Sequence, residues 1–298
     1  PFGREGEMPL VAQYSEKLLK ETLEKMRREG HSSIAVITRT QAQADSLSAR
    51  LDNVYRLDGG EADLNYESTD NVVACYHMVK GMEFDAVIVA TGGVSYPLTG
   101  STGDGYRFAL AAGHTVVPPT PSLVPLVEDG NFCACVQGLS LRNVRLSVHD
   151  AVKNKTVFED FGEMLFTHYG LSGPLVLSAS AHLTDMSSGR YTLFIDLKPA
   201  LDEKALDARL LSDFKKYQNR DFLNALSDLL PQKLIAPLVR LSGIDARKKV
   251  NAITREERFA LLALLKGLPV KVRRFRPIAE AIITKGGVAL TEISPRTM

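Results

Sequence analysis

Residues 83–106 read EFDAVIVATGGVSYPLTGSTGDGY. The run DAVIVA at 85–90 is apolar, β-branched and short, which predicts a buried strand. Gly92 and Gly93 follow, then Gly100, Ser101, Thr102, Gly103, Asp104 and Gly105, and then a short helical pattern, GYRFALAAG, that stops at Gly113. A Gly pair lets backbone close on a ligand where a Cβ would collide. A helix opening straight after a glycine turn offers free N–H groups and the positive end of its dipole to an anion. The same turn also reads as a plain helix N-cap, and the residues alone leave both readings open.

Working outward, residues 13–29 place Leu18, Leu19, Leu23 and Met26 on one helical face. Glu16/Lys20 and Glu21/Lys25 form i,i+4 pairs on the other face, and Gly30 is the stop. SSIAVITR at 32–39 predicts a strand, and 41–51 a helix facing inward through Ala44, Leu47 and Leu51. Two further apolar runs, NVVACYHM and FDAVIVA, complete an alternation that argues for a parallel α/β sheet. Residues 116–199 change character: short β-rich runs are separated by Pro, Gly and Asn, so their strands should lie outside the first sheet. Residues 200–269 are helical, with segments at 203–217, 221–231, 232–243 and 254–267. The last has Thr254 and Glu257 at capping-box spacing and Gly267 as its stop. Residues 269–293 return to short strands, and no fixed repeat runs through the chain.

The 298 residues carry 36 basic and 35 acidic side chains, so the net charge of +1 gives no global attraction to nucleic acid or membrane. Cys75, Cys133 and Cys135 are too few for a disulfide framework. Cys133-Ala-Cys135 lacks a second ligand pair, which predicts reduced thiols and no metal. No apolar run approaches the roughly 20 residues that span a bilayer, and residues 1–7 lack a signal-peptide pattern. The expectation is a cytoplasmic protein with no membrane partner. Pro1 in place of an initiator Met suggests a fragment.

His77-x-x-Lys80-Gly81-Met82-Glu83-Phe84, with IAVITRTQAQADSL upstream, resembles UvrD/Rep-type superfamily 1 helicases over about residues 1–89. That resemblance implies a RecA-like lobe, with Arg39, Lys80, Gly81 and Glu83 at a nucleotide and His77 at single-stranded nucleic acid. The departures are large. No G-x-x-x-x-G-K-[ST] loop occurs anywhere in the chain, and no acidic metal box follows a strand, so ATP hydrolysis is not expected.

Ala90-Thr91-Gly92-Gly93, PSLVPL at 121–126, GLSLRNV at 138–144, GEMLFTHYGLSGPLVLSAS at 162–180 and EAIITKGGVALTEISPRTM at 280–298 together resemble BaiN-like NAD(P)/FAD-dependent oxidoreductases. The resemblance covers about residues 85–298. It implies a dinucleotide-binding-like sheet interrupted by a β-rich domain with a helical subdomain, FAD as cofactor, NAD(P)H as reductant and a small organic substrate. The implied flavin contacts are Ala90, Thr91, Gly92, Gly93, Thr102, Gly103, Asp104, Gly105, Gly286 and Gly287. The implied boundaries are a helicase-like lobe at 1–89, a partial FAD-binding domain at 85–115 and 270–298, and an insertion at 116–269. The junction between the two resemblances falls within residues 85–90.

Departures occur here too. Residues 1–84 hold no G-x-G-x-x-G, and the family's closing flavin segment would follow Met298, so weak FAD retention is expected. Gly170, Gly173 and Pro174 predict a tight bend. Thr167 and His168 read either as catalytic groups or as structural ones, and no acid or base is assigned. KVRRFRP at 271–277 sets Arg273, Arg274 and Arg276 around Phe275. It reads as a nucleic-acid contact, as a solvated strand edge, or, within the flavoprotein reading, as the returning strand.

Overall fold

The computed structural model describes residues 15–57, 71–75, 78–79, 86–90, 92–187 and 189–292, and the chain divides into two units, Pro1–Thr120 with Thr284–Met298, and Pro121–Ile283.

In the first unit, helix α1 (Glu16–Arg28) starts where the Ser15 hydroxyl accepts the Leu18 N–H, and it buries Leu19 and Leu23. Strand β1 (Ile34–Thr38) is buried through Ile34, Ala35 and Val36. Helix α2 (Gln41–Ser48) opens on a capping box between Thr40 and Gln43. With β2 (Val54–Leu57), β3 (Asn71–Cys75) and β4 (Ala86–Ala90), β1 forms a four-stranded sheet of order β2-β3-β1-β4, every pair parallel. Thr38 is in register with both Cys75 and Ala90, so three strands end at one level. Ligands of open parallel sheets bind beyond such carboxyl ends. Beyond β4 comes α3 (Asp104–Ala111). A two-stranded ribbon of β5 (Val116–Ser122) and β12 (Ile283–Val288) follows in space.

The second unit is built on a closed six-stranded barrel. Its order is β10 (Tyr191–Asp196), β11 (Leu268–Phe275), β6 (Leu126–Glu128), β9 (Gly170–Ser172), β8 (Lys155–Thr167) and β7 (Ser140–Asp150), with every pair antiparallel. Closure leaves no open strand edge. Alternate residues fill the interior, among them Leu146, Val148, Met164, Phe166, Leu171, Leu193, Ile195, Val270 and Val272. Gly170 is where the ring is tightest: a Cβ there would lie 2.2 Å from the Leu126 carbonyl oxygen and 2.6 Å from the Glu128 nitrogen. Two short helices, α4 (Phe132–Cys135) and α5 (Pro174–Ser180), interrupt the strands. Pro174 is the first residue of α5, where its missing N–H costs nothing, so the bend predicted at Gly173 is a helix start.

Helices α6 (Glu203–Lys216), α7 (Phe222–Ala225), α8 (Gln232–Ser242) and α9 (Arg255–Lys266) pack through Leu206, Leu210, Phe222, Leu234, Leu238, Leu261 and Leu265 into the same core as the barrel. The expected helix over 221–231 is only the four residues of α7, after which Leu229 and Leu230 turn back to the Leu226 carbonyl.

The strand at 268–275 is a second difference. Placed by the flavoprotein resemblance in the segment returning from residue 270, it instead alternates buried Leu268, Val270 and Val272 with exposed Pro269, Lys271 and Arg273 and pairs with β10 and β6. It is a wall of the barrel, and the unit runs to Ile283. The two units are therefore a parallel α/β sheet with helices and an antiparallel barrel with helices; nothing in the strand order assigns the sheet to the RecA-like type.

Candidate functional site

At the carboxyl end of the parallel sheet, the backbone leaves β4 through Gly92 and Gly93. Gly92 has φ +69°, and a Cβ on it would lie 2.7 Å from the Ser101 hydroxyl. The Gly103 N–H donates to the Gly93 carbonyl at 2.9 Å, closing residues 93–103 into a loop. Gly103, at φ +83°, is the N-cap of α3, in a left-handed conformation that an L-residue enters only with strain. Among the described residues nothing accepts the N–H groups of Asp104 and Gly105. They are two unengaged donors at the positive end of a helix.

Asp104 is buried, and three groups hold it. The Thr102 hydroxyl donates to its carboxylate at 3.0 Å, and the guanidinium groups of Arg39 and Arg107 pair with it. Arg39 follows directly on β1, 65 residues from Asp104 in sequence. A residue drawn from the helicase resemblance and one drawn from the flavoprotein resemblance therefore meet at one sheet end. The two arginines offset the carboxylate, so the mouth of α3 is not a bare negative site.

Tyr106 stands behind this turn. Its ring lies 3.4 Å from where a Cβ on Gly103 would sit and 3.3 Å from one on Gly287, and its hydroxyl is 3.2 Å from one on Gly93. Burial raises the pKa of that hydroxyl, keeping it a neutral donor. The Thr284 hydroxyl, 2.9 Å from Ser95, also borders Gly93. Sequence reading named neither Tyr106 nor Thr284. The Thr-Lys-Gly-Gly run at 284–287 was the available signal for Thr284; for Tyr106 there was none. Gly286, φ +101°, has a nearer constraint than a ligand: a Cβ would lie 2.7 Å from the Pro118 carbonyl oxygen across the ribbon.

The remaining candidates separate clearly. Ala90 ends β4, while Thr91, His77, Lys80, Gly81 and Glu83 lie outside the described residues. Thr167 closes its own turn, accepting the Gly170 N–H at 3.2 Å and donating to the Gly170 carbonyl at 3.0 Å. His168 is exposed and stacks edge-on against Tyr169, which carries the Arg276 guanidinium 4.4 Å from its ring centre. That set is a turn with an aromatic lid, with no carboxylate aimed at the imidazole among the described residues. Cys133 is fully buried, and burial together with the charge of Glu128 pushes its thiol far above the ordinary range. Glu128 is fixed there by the Phe132 and Cys133 N–H groups, at 3.0 and 2.8 Å. Cys133 is thus an inert core thiol, and Cys135 is exposed.

The family described as HI0933-like protein barrel and H2TH domain matches residues 120–283, the barrel unit almost to the residue. The chain belongs to that family. Three curated relatives extend the match. Two are named Ribosomal RNA dihydrouridine synthase: that of Escherichia coli K12 is 31% identical over 214 residues, covering 72% of this chain and 50% of the relative. That of Haemophilus influenzae Rd is 31% identical over 216 residues, covering 71% and 50%. The third, 3-dehydro-bile acid delta(4,6)-reductase of Clostridium scindens, is 27% identical over 219 residues, covering 72% and 52%. The chain spans about half the length of these relatives. None of these matches supports the helicase resemblance of residues 1–89 or ATP binding there. Among the described residues no helix is long and apolar enough to cross a membrane.

Proposed function

We propose that this chain is part of an FAD-dependent reductase, with the glycine turn at residues 92–105 holding part of the flavin. Membership of the HI0933-like family carries this reading, because the named activities among the relatives share one chemistry, a reduction. Bound FAD would supply that chemistry, a hydride relay from a reduced nicotinamide to an organic substrate.

The residues fit such a ligand. Gly92 and Gly103 hold positive-φ backbone that lets the turn pack against Ser101 and Val94, and the Asp104 and Gly105 N–H groups point out of a helix start beside Arg39 and Arg107. Gly93 and Thr102 belong to the same turn, and Gly287 brings the ribbon against Tyr106. The protein's own work is to orient the cofactor and supply neutral donors, Tyr106 among them. The substrate we favour is a base in RNA, on the names of two of the three relatives.

The test is a fluorescence titration of FAD with the purified chain. Saturable quenching is expected. FAD fluorescence unchanged at a large excess of protein overturns the reading.

A further inference from the structure

The basic residues are unevenly shared. Residues 121–283 hold 23 of the 36 Lys and Arg but 18 of the 35 Asp and Glu, while the rest of the chain is net acidic. The near-zero total conceals a basic barrel unit. Within it the cations gather at a place that no run of sequence marks.

Two connections of the helical part lie side by side there: residues 217–222 after α6, and residues 244–251 after α8. Four backbone bonds lace them together. Phe222 N–H donates to Lys248, Leu223 N–H to Ala246, Val250 N–H to Arg220 and Asn251 N–H to Gln218, at 2.9–3.1 Å. Asp221 and Lys249 pair as an isolated antiparallel bridge, their side chains 2.8 Å apart. Phe222, Ile244 and Val250 are buried beneath, so both loops are anchored in the core. Tyr217 lies under two cations, with Lys216 Nζ 4.7 Å and the Arg220 guanidinium 4.5 Å from its ring centre. An open cleft of about 550 Å³ is lined by Arg220, Asp221, Asn224 and Lys249.

We infer that these laced loops are a docking surface for the phosphodiester backbone of a folded RNA, with Lys215, Lys216, Arg220, Arg247 and Lys249 as its cations. The inference rests on the reading that the substrate is a base in RNA. Lys215, Arg220 and Arg247 are exposed and have no carboxylate partner among the described residues. The nearby acids are already engaged: Asp221 by Lys249, Asp228 by Lys216 and the Tyr217 hydroxyl, and Asp245 by the Arg247 N–H. A surface whose backbone is fixed in advance loses little entropy on engaging phosphates. A base-modifying enzyme must grip backbone while a base is turned out of its stack, which calls for such contacts away from the reaction centre.

The experiment uses the full chain and a deproteinised ribosomal RNA, measured by filter binding across a salt series. The triple variant Lys215→Gln, Arg220→Gln, Arg247→Gln is compared with a control of equal charge change, Lys153→Gln, Lys155→Gln, Lys204→Gln, at exposed sites elsewhere. The first should weaken binding about tenfold or more near physiological salt and reduce the slope of log K against log salt by about 2 to 3. The control should stay within about twofold. Equal loss in both variants, or no RNA binding by the parent chain, overturns the surface. So does equal affinity for duplex DNA of matched length, or equally strong competition by polyglutamate. FAD titration of the same samples separates the two ideas: intact quenching with the RNA result failed sinks the surface alone, and lost quenching with the RNA result upheld sinks the redox reading alone.

Discussion

Glycines do different things in the two units. Around Gly92 and Gly103 the atoms a Cβ would meet belong to side chains, the Ser101 hydroxyl and a Val94 methyl, which can give way. Around Gly170 and Gly173 they are backbone: the Leu126 carbonyl at 2.2 Å and the Met164 Cα at 2.9 Å. The first pair lets a turn pack against its own side chains at a helix start, and the second lets barrel strands touch. Equal letters in the sequence thus serve a tight turn in the parallel-sheet unit and strand closure in the barrel.

Substitution tests that contrast hardest at the barrel. Gly170→Ala should cost more than about 4 kcal/mol, because no rotamer change relieves a backbone clash. Urea unfolding would read this as a collapsed midpoint or an insoluble chain, and a variant as stable as the parent would erase the distinction. Leu193→Ala, fully buried on β10, should lose about 2–5 kcal/mol by the same measurement.

Acid sharpens the comparison within the barrel. Asp150 is fully buried, accepting from Arg190 Nη2 at 2.9 Å and from the Val152 and Lys153 N–H groups, and these bonds hold its carboxyl down to about 2 from an ordinary 3.8. A depressed pKa stabilises the fold fully above the unfolded value and ceases to do so as pH falls through the folded one. Asp150→Asn should therefore be less stable than the parent at neutral pH, and the gap should close between pH about 4 and about 2. Parallel acid-unfolding curves would contradict this. The smallest effect belongs to the helical part. Thr254→Ala removes the hydroxyl that accepts the Glu257 N–H and should cost about 1 kcal/mol, seen as a modest shift in thermal midpoint.

What the sequence disclosed followed the range of the interaction. Helix α9 with its Thr254 and Glu257 box, strand β1 and the parallel alternation are local or periodic, and all were legible. Helix α5 was hidden inside a β-like composition, because one Gly-Pro step reads equally as a turn or a helix start. Barrel closure of β7 on β10 and the entry of β11 into its wall depend on pairings that no local pattern carries. The site divides in the same way. Gly92, Gly93 and Gly103 announced themselves as a run, whereas the Arg39–Asp104 pair and the approach of Thr284 to Ser95 join residues 65 and 189 positions apart. The basic loops escaped notice for that reason too: residues 215–220 and 247–249 are each unremarkable until Phe222, Ile244 and Val250 seat them together.

The most direct measurement is FAD titration of the parent chain beside Gly103→Ala, with a thermal melt of each. A left-handed N-cap alanine should cost about 1–2 kcal/mol and leave the chain folded. The expected result is saturable quenching by the parent and at least about tenfold weaker affinity in the folded variant, an increment of about 1.4 kcal/mol. Parent and variant quenching FAD alike, both folded, would mean that the glycine turn is a helix cap and nothing more.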